Sequence, residues 1–269
     1  MARKIRRLFE NTYMFLMFLF FYLPIAVLIV FSFNDSKSRG SWGGFSLRWY
    51  VDMFEDAQLM EALRTTLIVG VLSALIATVI GTAAAIGIQA FKNKSLKNII
   101  TTVTDIPMIS SELVTGVSLM ILFIAVGIPR GMFTMLLAHV TFNIPYVILS
   151  VTPKLAQLDN SMYEAALDLG AKPSYAFFKV VMPEIMPGIV NALLISFTLS
   201  IDDFVISFFT TGNGVSNLSI YVYTMAKRLN PKINALSTVM FVCVMLLLLI
   251  INKRSSKDKS SNILMEVEG

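Results

Sequence analysis

Four acids stand inside apolar stretches that hold no lysine or arginine: Asp105, Glu112, Asp202 and Asp203. A carboxylate in a membrane-spanning helix costs about 2.5–3.5 kcal/mol on insertion scales, and such groups usually face a bundle interior or a water-filled cavity. Acids without bases suit a cationic permeant, because carboxylate oxygens can replace the water around an ammonium. Asp105 and Glu112 are seven residues apart, which predicts a shared helix face. Asp202 and Asp203 are adjacent and diverge by about 100° on a helix, so one of the two is expected to face any given cavity. Counting about 1.5 Å per residue from expected cytoplasmic ends at Ile99 and Gly188 places Glu112 and Asp202 at a common height of roughly 20 Å. The alternative is structural: these acids would pair with helix ends or with polar neighbours such as Ser200 and Ser207. A later helix start would leave Asp105 at the interface.

The elements that must carry these acids are helices in lipid. Of 269 residues, 56% are hydrophobic and only 14% charged, against about 25% charged in a soluble domain. Apolar runs of about 20 residues, long enough to cross the hydrocarbon core, recur along the chain. Six spans are expected: Tyr13–Phe33, Thr65–Ala90, Ile99–Gly127, Met132–Val151, Gly188–Thr210 and Ile233–Ile251. The fold class is therefore an all-α membrane protein. The first span follows Arg3, Lys4, Arg6 and Arg7, is too long for a signal-peptide core and lacks a small-residue cleavage site, so it is expected to remain as an anchor. With the N-terminus inside, the cytoplasmic segments also hold Lys92, Lys94, Lys97, Lys154, Lys172, Lys179, Lys253, Arg254, Lys257 and Lys259, fourteen of the 22 basic residues. The external segments hold Lys37, Arg39, Arg48, Arg64, Arg130, Lys227, Arg228 and Lys232. This asymmetry predicts both termini in the cytoplasm, and it explains the net charge of +5 without nucleic acid. The single cysteine, Cys243, lies in an apolar run, which leaves neither a disulfide framework nor a cysteine metal site. No internal repeat supports an inverted-repeat transporter.

One polar passage interrupts the apolar sequence, Tyr163 to Pro183, "YEAALDLGAKPSYAFFKVVMP". Ser161 and Glu164 have capping-box spacing. Gly170 stands where a left-handed helix cap would need it. Pro173 and Ser174 can open a second short helix that Pro183 is expected to end. Ala165 and Ala166 leave a low surface for a close partner; the bland alternative is an amphipathic loop on lipid headgroups. No G-x-x-x-x-G-K-[ST] phosphate loop is present, so the chain is not expected to hydrolyse ATP.

Glu164-Ala165-Ala166, three residues, Gly170, nine residues and Val180-Val181-Met182-Pro183 resemble the EAA motif of ABC importer permeases, with apolar replacements at Val180 and Met182. The stretches "LSIDDFVISFFTTG" and "FNDSKSRGSWGGFSLRWYVDMFED" resemble the permeases of spermidine/putrescine importers over nearly the whole chain, in particular the second of their two permease subunits. The resemblance implies a type I ABC importer permease fold with a cytoplasmic coupling helix, in a bacterial inner membrane. It implies that Glu164, Ala165, Ala166, Gly170 and Pro183 form the ATPase-coupling surface. The implied partners are a second related permease, two copies of an ATP-binding subunit that hold ATP and Mg, and a periplasmic polyamine-binding protein; no cofactor is expected in this chain. The implied organisation is residues 1–59 as the first helix and periplasmic loop, 60–252 as the transmembrane core with the EAA loop at 153–187, and 253–269 as a polar cytoplasmic tail. A permease for putrescine only, or for another cation, is the near alternative. An ion-coupled secondary transporter would also carry membrane acids but leaves the EAA spacing without a purpose. A membrane enzyme lacks a nucleophile–base or metal-ligand set.

Other features are expected to be structural. His139 and Asn143, four apart before Pro145, read as helix-packing hydrogen bonders. Pro24, Pro107 and Pro145 read as possible kinks, and the methionines as packing. Trp42, Trp49 and Tyr50 read as interface anchors, with contact to a binding protein as the lesser alternative.

Overall fold

The computed structural model describes residues 2–37, 40–212, 214–227, 231–243 and 245. The tail 253–269, Arg39, Arg228 and the end of the sixth expected span lie outside the described residues. In chain order the helices are α1 (Ala2–Ser32), α2 (Arg48–Phe54), α3 (Ala57–Ala90), α4 (Lys94–Ile109), α5 (Glu112–Val126), α6 (Met132–Ala156), α7 (Asn160–Asp168), α8 (Pro173–Ala176), α9 (Met182–Asp202), α10 (Val205–Thr210) and α11 (Leu218–Lys227), then α12 (Lys232–Cys243). A π-helical turn, Phe177–Val181, joins α8 to α9. Extended pairing among the described residues is limited to one isolated bridge between Asn34 and Phe45.

The described helices hold four single candidate spans: Glu10–Ser32, Ala57–Ala90, Met132–Ala156 and Pro173–Asp202. The third expected span is not one helix. It breaks into α4 and α5, which diverge by 103°, and counts as a fifth crossing if the bent pair is one span. Its straight-helix corollary falls with it, since Asp105 and Glu112 sit on different helices. The fifth expected span also breaks, ending α9 at Asp202 before the separate α10.

Two compact units divide the chain, Met1–Ala57 with Thr224–Gly269, and Gln58–Tyr223. In the first, α1 presents aromatic residues outward along its length, with Phe15, Phe18, Phe20 and Phe21 all exposed. The loop after α1 is organised by Asn34. Its Oδ1 accepts the amides of Gly43 at 2.7 Å and Ser36 at 3.2 Å, and its Nδ2 donates to the Ser41 carbonyl at 2.8 Å. Trp49 Nε1 donates to the Asn34 carbonyl at 2.7 Å, and the ring is buried. Trp49 is thus a core residue of its loop rather than an interface anchor, because an indole N–H that finds a backbone partner can be buried without loss. Trp42 is exposed, as an anchor would be.

The second unit carries the chemistry. Its core joins Ala77, Ala85 and Ile88 of α3 to Val147, Ile148 and Val151 of α6 and to Ile185 and Ala192 of α9. On α3 both faces are apolar, so side-chain size decides which one packs. Ser73, Ala74, Ala77, Thr78, Gly81, Thr82 and Ala85 face inward, while Leu72, Leu75, Ile76, Val79 and Ile80 face outward. Lipid offers no hydrophobic drive between helices, so small residues that let backbones approach make the interface. Gly81 shows how close they come, since a Cβ there would lie 2.6 Å from Val147 Cβ.

Candidate functional site: a cavity at two helix breaks, and the α7 loop

The first break follows from its residues. Pro107 lacks an N–H inside α4, and Ser110 turns extended at the C-cap with ψ 147°. Ser111 then caps α5, its hydroxyl accepting the Leu113 amide at 3.3 Å. Ser–Ser pairs offer the backbone side-chain partners that compete with helix continuation. That signal, three residues beyond a proline, is present in the sequence.

The second break centres on Asp203. Its backbone leaves the helix with ψ 124°. Its carboxylate accepts the Ser207 amide at 2.7 Å and the Ile206 amide at 3.1 Å, which caps the start of α10. His139 Nε2, from α6, lies 3.4 Å from the same carboxylate and 2.9 Å from Ser207 Oγ. Asn217 Nδ2 donates to Ser207 Oγ at 2.8 Å and to the Asp203 carbonyl at 3.1 Å. All four side chains are buried. α10 is also tied at its far end, where Thr134 Oγ1 donates to the Thr210 carbonyl at 2.8 Å. It lies against α5 at Gly116, where a Cβ would sit 3.3 Å from Ile206 Cα.

The two breaks border one cavity of about 490 Å³. Its lining includes Ser110, Ser111 and Glu112 from the first break, Asp202, Asp203 and Phe204 from the second, and Phe142 and Tyr146 from α6. Glu112 and Asp202 are therefore brought together, though not by the height counting above: α5 starts at Glu112, and the helix leading to Asp202 begins at Pro173 rather than Gly188. Both are exposed on the cavity side, whereas Asp203 is buried and engaged with backbone amides. Asp105 lies on α4, half-buried and outside the lining.

The two exposed acids differ electrostatically. Glu112 occupies the first turn of α5, where the helix dipole favours a negative charge. Asp202 occupies the last turn of α9, where the dipole disfavours it and no basic residue is near in that turn. A cation at Asp202 would gain from the carboxylate and from the carbonyl end of the helix together, a pairing used at interrupted membrane helices.

His139 is a hydrogen-bonding packing residue, as its lone position suggests. Asn143 is as well: its Nδ2 donates to Ser200 Oγ at 2.8 Å, and Ser200 Oγ lies 3.0 Å from Ser73 Oγ.

The polar passage forms helix, glycine turn, helix. The N-cap of α7 is Asp159, not Ser161: the Asp159 carboxylate accepts the Ser161 amide at 2.9 Å. Hydrogen bonds from the Ser161 side chain and backbone hold the Asp159 carboxyl below its usual value. The capping box yields because an aspartate two residues upstream starts the helix first. Gly170 has φ +86°, and the Ala171 amide reaches back to the Ala166 carbonyl at 3.1 Å, a left-handed helix ending. Pro173 opens α8 as expected, but Pro183 ends nothing. The π turn shifts the hydrogen-bond register just before it, so the missing proline N–H falls at the first turn of α9, where it is tolerated. Glu164 and Ala165 are exposed, Ala166 half-buried, and Pro183 exposed. Met162 and Leu169, 58% and 90% exposed, extend that surface; apolar type on a short helix gives no sequence signal of exposure.

The model of the binding-protein-dependent transport system inner membrane component family matches residues 77–253. The putrescine transport system permease protein PotI of Escherichia coli is 39% identical over 84% of this chain and 83% of its own. The spermidine/putrescine transport system permease proteins PotC of Haemophilus influenzae and E. coli are 36% and 34% identical, covering 87% and 95% of this chain and 91% and 97% of theirs. Among solved structures, a bacterial ABC transporter involved in import of the acidic polysaccharide alginate superposes with TM-score 0.71 at 16% identity, over 95% of this chain and 98% of that one. The MetNI methionine ABC transporter gives TM-score 0.61 at 20% identity, over 73% and 93%. The chain belongs to the binding-protein-dependent transport system inner membrane component family.

Proposed function

We propose that this chain is one permease subunit of an ATP-driven polyamine importer, with six spans, both termini in the cytoplasm, and the cavity at the two helix breaks as a cation station. The observation that carries the reading is the placement of Asp202: an exposed carboxylate at the carbonyl end of α9, facing Glu112 across a cavity edged by Tyr146 and Phe204. Such a site attracts an ammonium, and the aromatic faces add to that attraction. Asp105 takes part at most as an entry charge. A second related permease completes the pathway, a periplasmic binding protein delivers the polyamine, and two ATP-binding subunits hold ATP and Mg. Glu164, Ala165, Ala166 and Gly170 dock the ATPase, with Pro183 at the start of α9 carrying the motion inward.

The test is uptake per assembled complex in proteoliposomes. Asp202→Asn keeps size and hydrogen bonding but removes the charge. It should lower polyamine uptake by about tenfold, equivalent to about 1.4 kcal/mol, while stimulated ATP hydrolysis survives. Uptake within about twofold of the parent for both Asp202→Asn and Glu112→Gln would sink the station. For the loop, Gly170→Val forces a β-branched residue into left-handed backbone, at about 1–2 kcal/mol, though a Cβ there meets no neighbour. It should uncouple transport while the subunit stays in the membrane. Relatives from both putrescine and spermidine/putrescine systems support the diamine as a competing substrate, and competition between the two polyamines decides.

A further inference from the structure

We propose that Asp203 is a positioning residue for transport: with His139, Ser207 and Asn217 it forms a buried latch that fixes the α9–α10 break and thereby aims Asp202 and Phe204 into the cavity. The inference rests on the cation-station reading for its functional consequence, but its geometry stands alone. Two adjacent aspartates in one apolar segment look equivalent, yet their surroundings divide them. The side chain of Asp203 is 4% exposed, while Asp202 is open to the cavity. The amides of Ile206 and Ser207 donate to the two Asp203 oxygens, and the ring nitrogen Nε2 of His139 lies 3.4 Å from one of them. A buried carboxylate turned onto backbone amides in this way presents little surface to a permeant.

The latch also joins segments distant in sequence. His139 comes from the first third of α6, Ser207 from α10, and Asn217 from the residue before α11. Asn217 is itself fixed, its Oδ1 accepting the Ile220 amide at 2.9 Å, and the next residue, Leu218, donates its amide to Thr66 Oγ1 at 2.7 Å. The break is thereby referenced to α3, α6 and α11 at once. Phe204, which lines the cavity next to Asp203, lies against Tyr223 with ring centroids 4.8 Å apart and planes tilted by 43°. A networked, fully buried arrangement of this kind has one low-energy geometry, because each member lost leaves the others unsatisfied.

The experiment uses the complete transporter, reconstituted with Cys243 replaced; labelling by a water-soluble thiol reagent is read with Phe204→Cys as reporter, and uptake is read in the same variants with Phe204 intact. His139→Leu and Asp203→Asn should each change the labelling rate at position 204 by about fivefold or more and lower uptake by a similar factor. The ratio of diamine to triamine uptake should stay within about twofold of the parent. His139→Gln, which keeps a donor, should restore both, and the double variant should be no worse than the worse single one. Should Asp203→Asn fail to assemble, Ser207→Ala carries the test, since it keeps the backbone cap and removes only the hydroxyl that His139 and Asn217 share. A direct substrate contact predicts otherwise: Asp203→Asn would shift the diamine-to-triamine ratio as Asp202→Asn does, with labelling unchanged. That result, or His139→Leu leaving labelling and uptake within about twofold, overturns the latch. A parent complex that transports no polyamine would instead sink the cation station, and the labelling arm would still decide on Asp203.

Discussion

The two helix breaks that face each other across the cavity are built in opposite ways. Between α4 and α5 the chain bends by 103° on one local cap, the Ser111 hydroxyl to the Leu113 amide at 3.3 Å, among exposed and half-buried residues. Between α9 and α10 the interruption is held by four buried polar side chains drawn from three segments, and the short helix beyond it is tied again through Thr134. A single exposed hydrogen bond exchanges with water at little net change in free energy, whereas a buried donor deprived of its partner loses about 1–3 kcal/mol. One wall of the cavity is thus soft and the other fixed. In a transporter that must open and close a pathway, the soft wall is the one that a modest force can move.

The largest effect should come from attacking the fixed wall. Asp203→Ala removes two carboxylate–amide bonds, at 2.7 and 3.1 Å, and opens a void beside His139, and should destabilise the subunit by about 2–4 kcal/mol. Unfolding by detergent titration measures it, and a loss below about 1 kcal/mol would mean the break is not held there. Thr134→Val is nearly isosteric; it unties the far end of α10 and also removes the acceptor of the Gly131 amide at the start of α6. It should cost about 1–2 kcal/mol, because the Thr210 carbonyl loses one buried donor and the Gly131 amide its acceptor. If Thr134→Val proves as damaging as Asp203→Ala, the anchor of α10 lies at its C-terminal end and the comparison must be redrawn.

What the sequence disclosed follows the same division between local and non-local causes. The membrane-spanning character of the apolar runs, the Gly170 turn and the opening of α8 at Pro173 depend on neighbours in the chain, and these read correctly, whereas the continuity of the third and fifth spans did not. The acids were recognised as candidates, but their separation into an exposed Asp202 and a buried Asp203 depends on His139, 64 positions upstream, and on Asn217. Spacing could not reveal it. The bend at Ser110–Ser111 was local and still missed, because an apolar run of the right length hides an interruption that needs only two hydroxyls. The buried stripe of α3 was illegible for another reason: in lipid both faces are apolar, so hydrophobic periodicity carries no signal and only residue size does.

The smallest effect belongs to the soft wall. Ser111→Ala deletes its one side-chain cap, and exposed caps of this kind contribute about 0.5–1 kcal/mol. The bend itself should persist, because Pro107 still withholds its N–H and Ser110 still leaves the helix in an extended conformation. Stability should therefore fall by less than for Thr134→Val, while the accessibility of a cysteine placed at Glu112 rises as the start of α5 frays. Uptake is the informative quantity. If α4–α5 is the moving wall, loosening its cap alters the rate of opening more than the strength of binding, so the maximal rate changes and the half-saturating polyamine concentration does not. A change confined to half-saturation, with the maximal rate preserved, would assign the first break to binding and leave neither wall free to move.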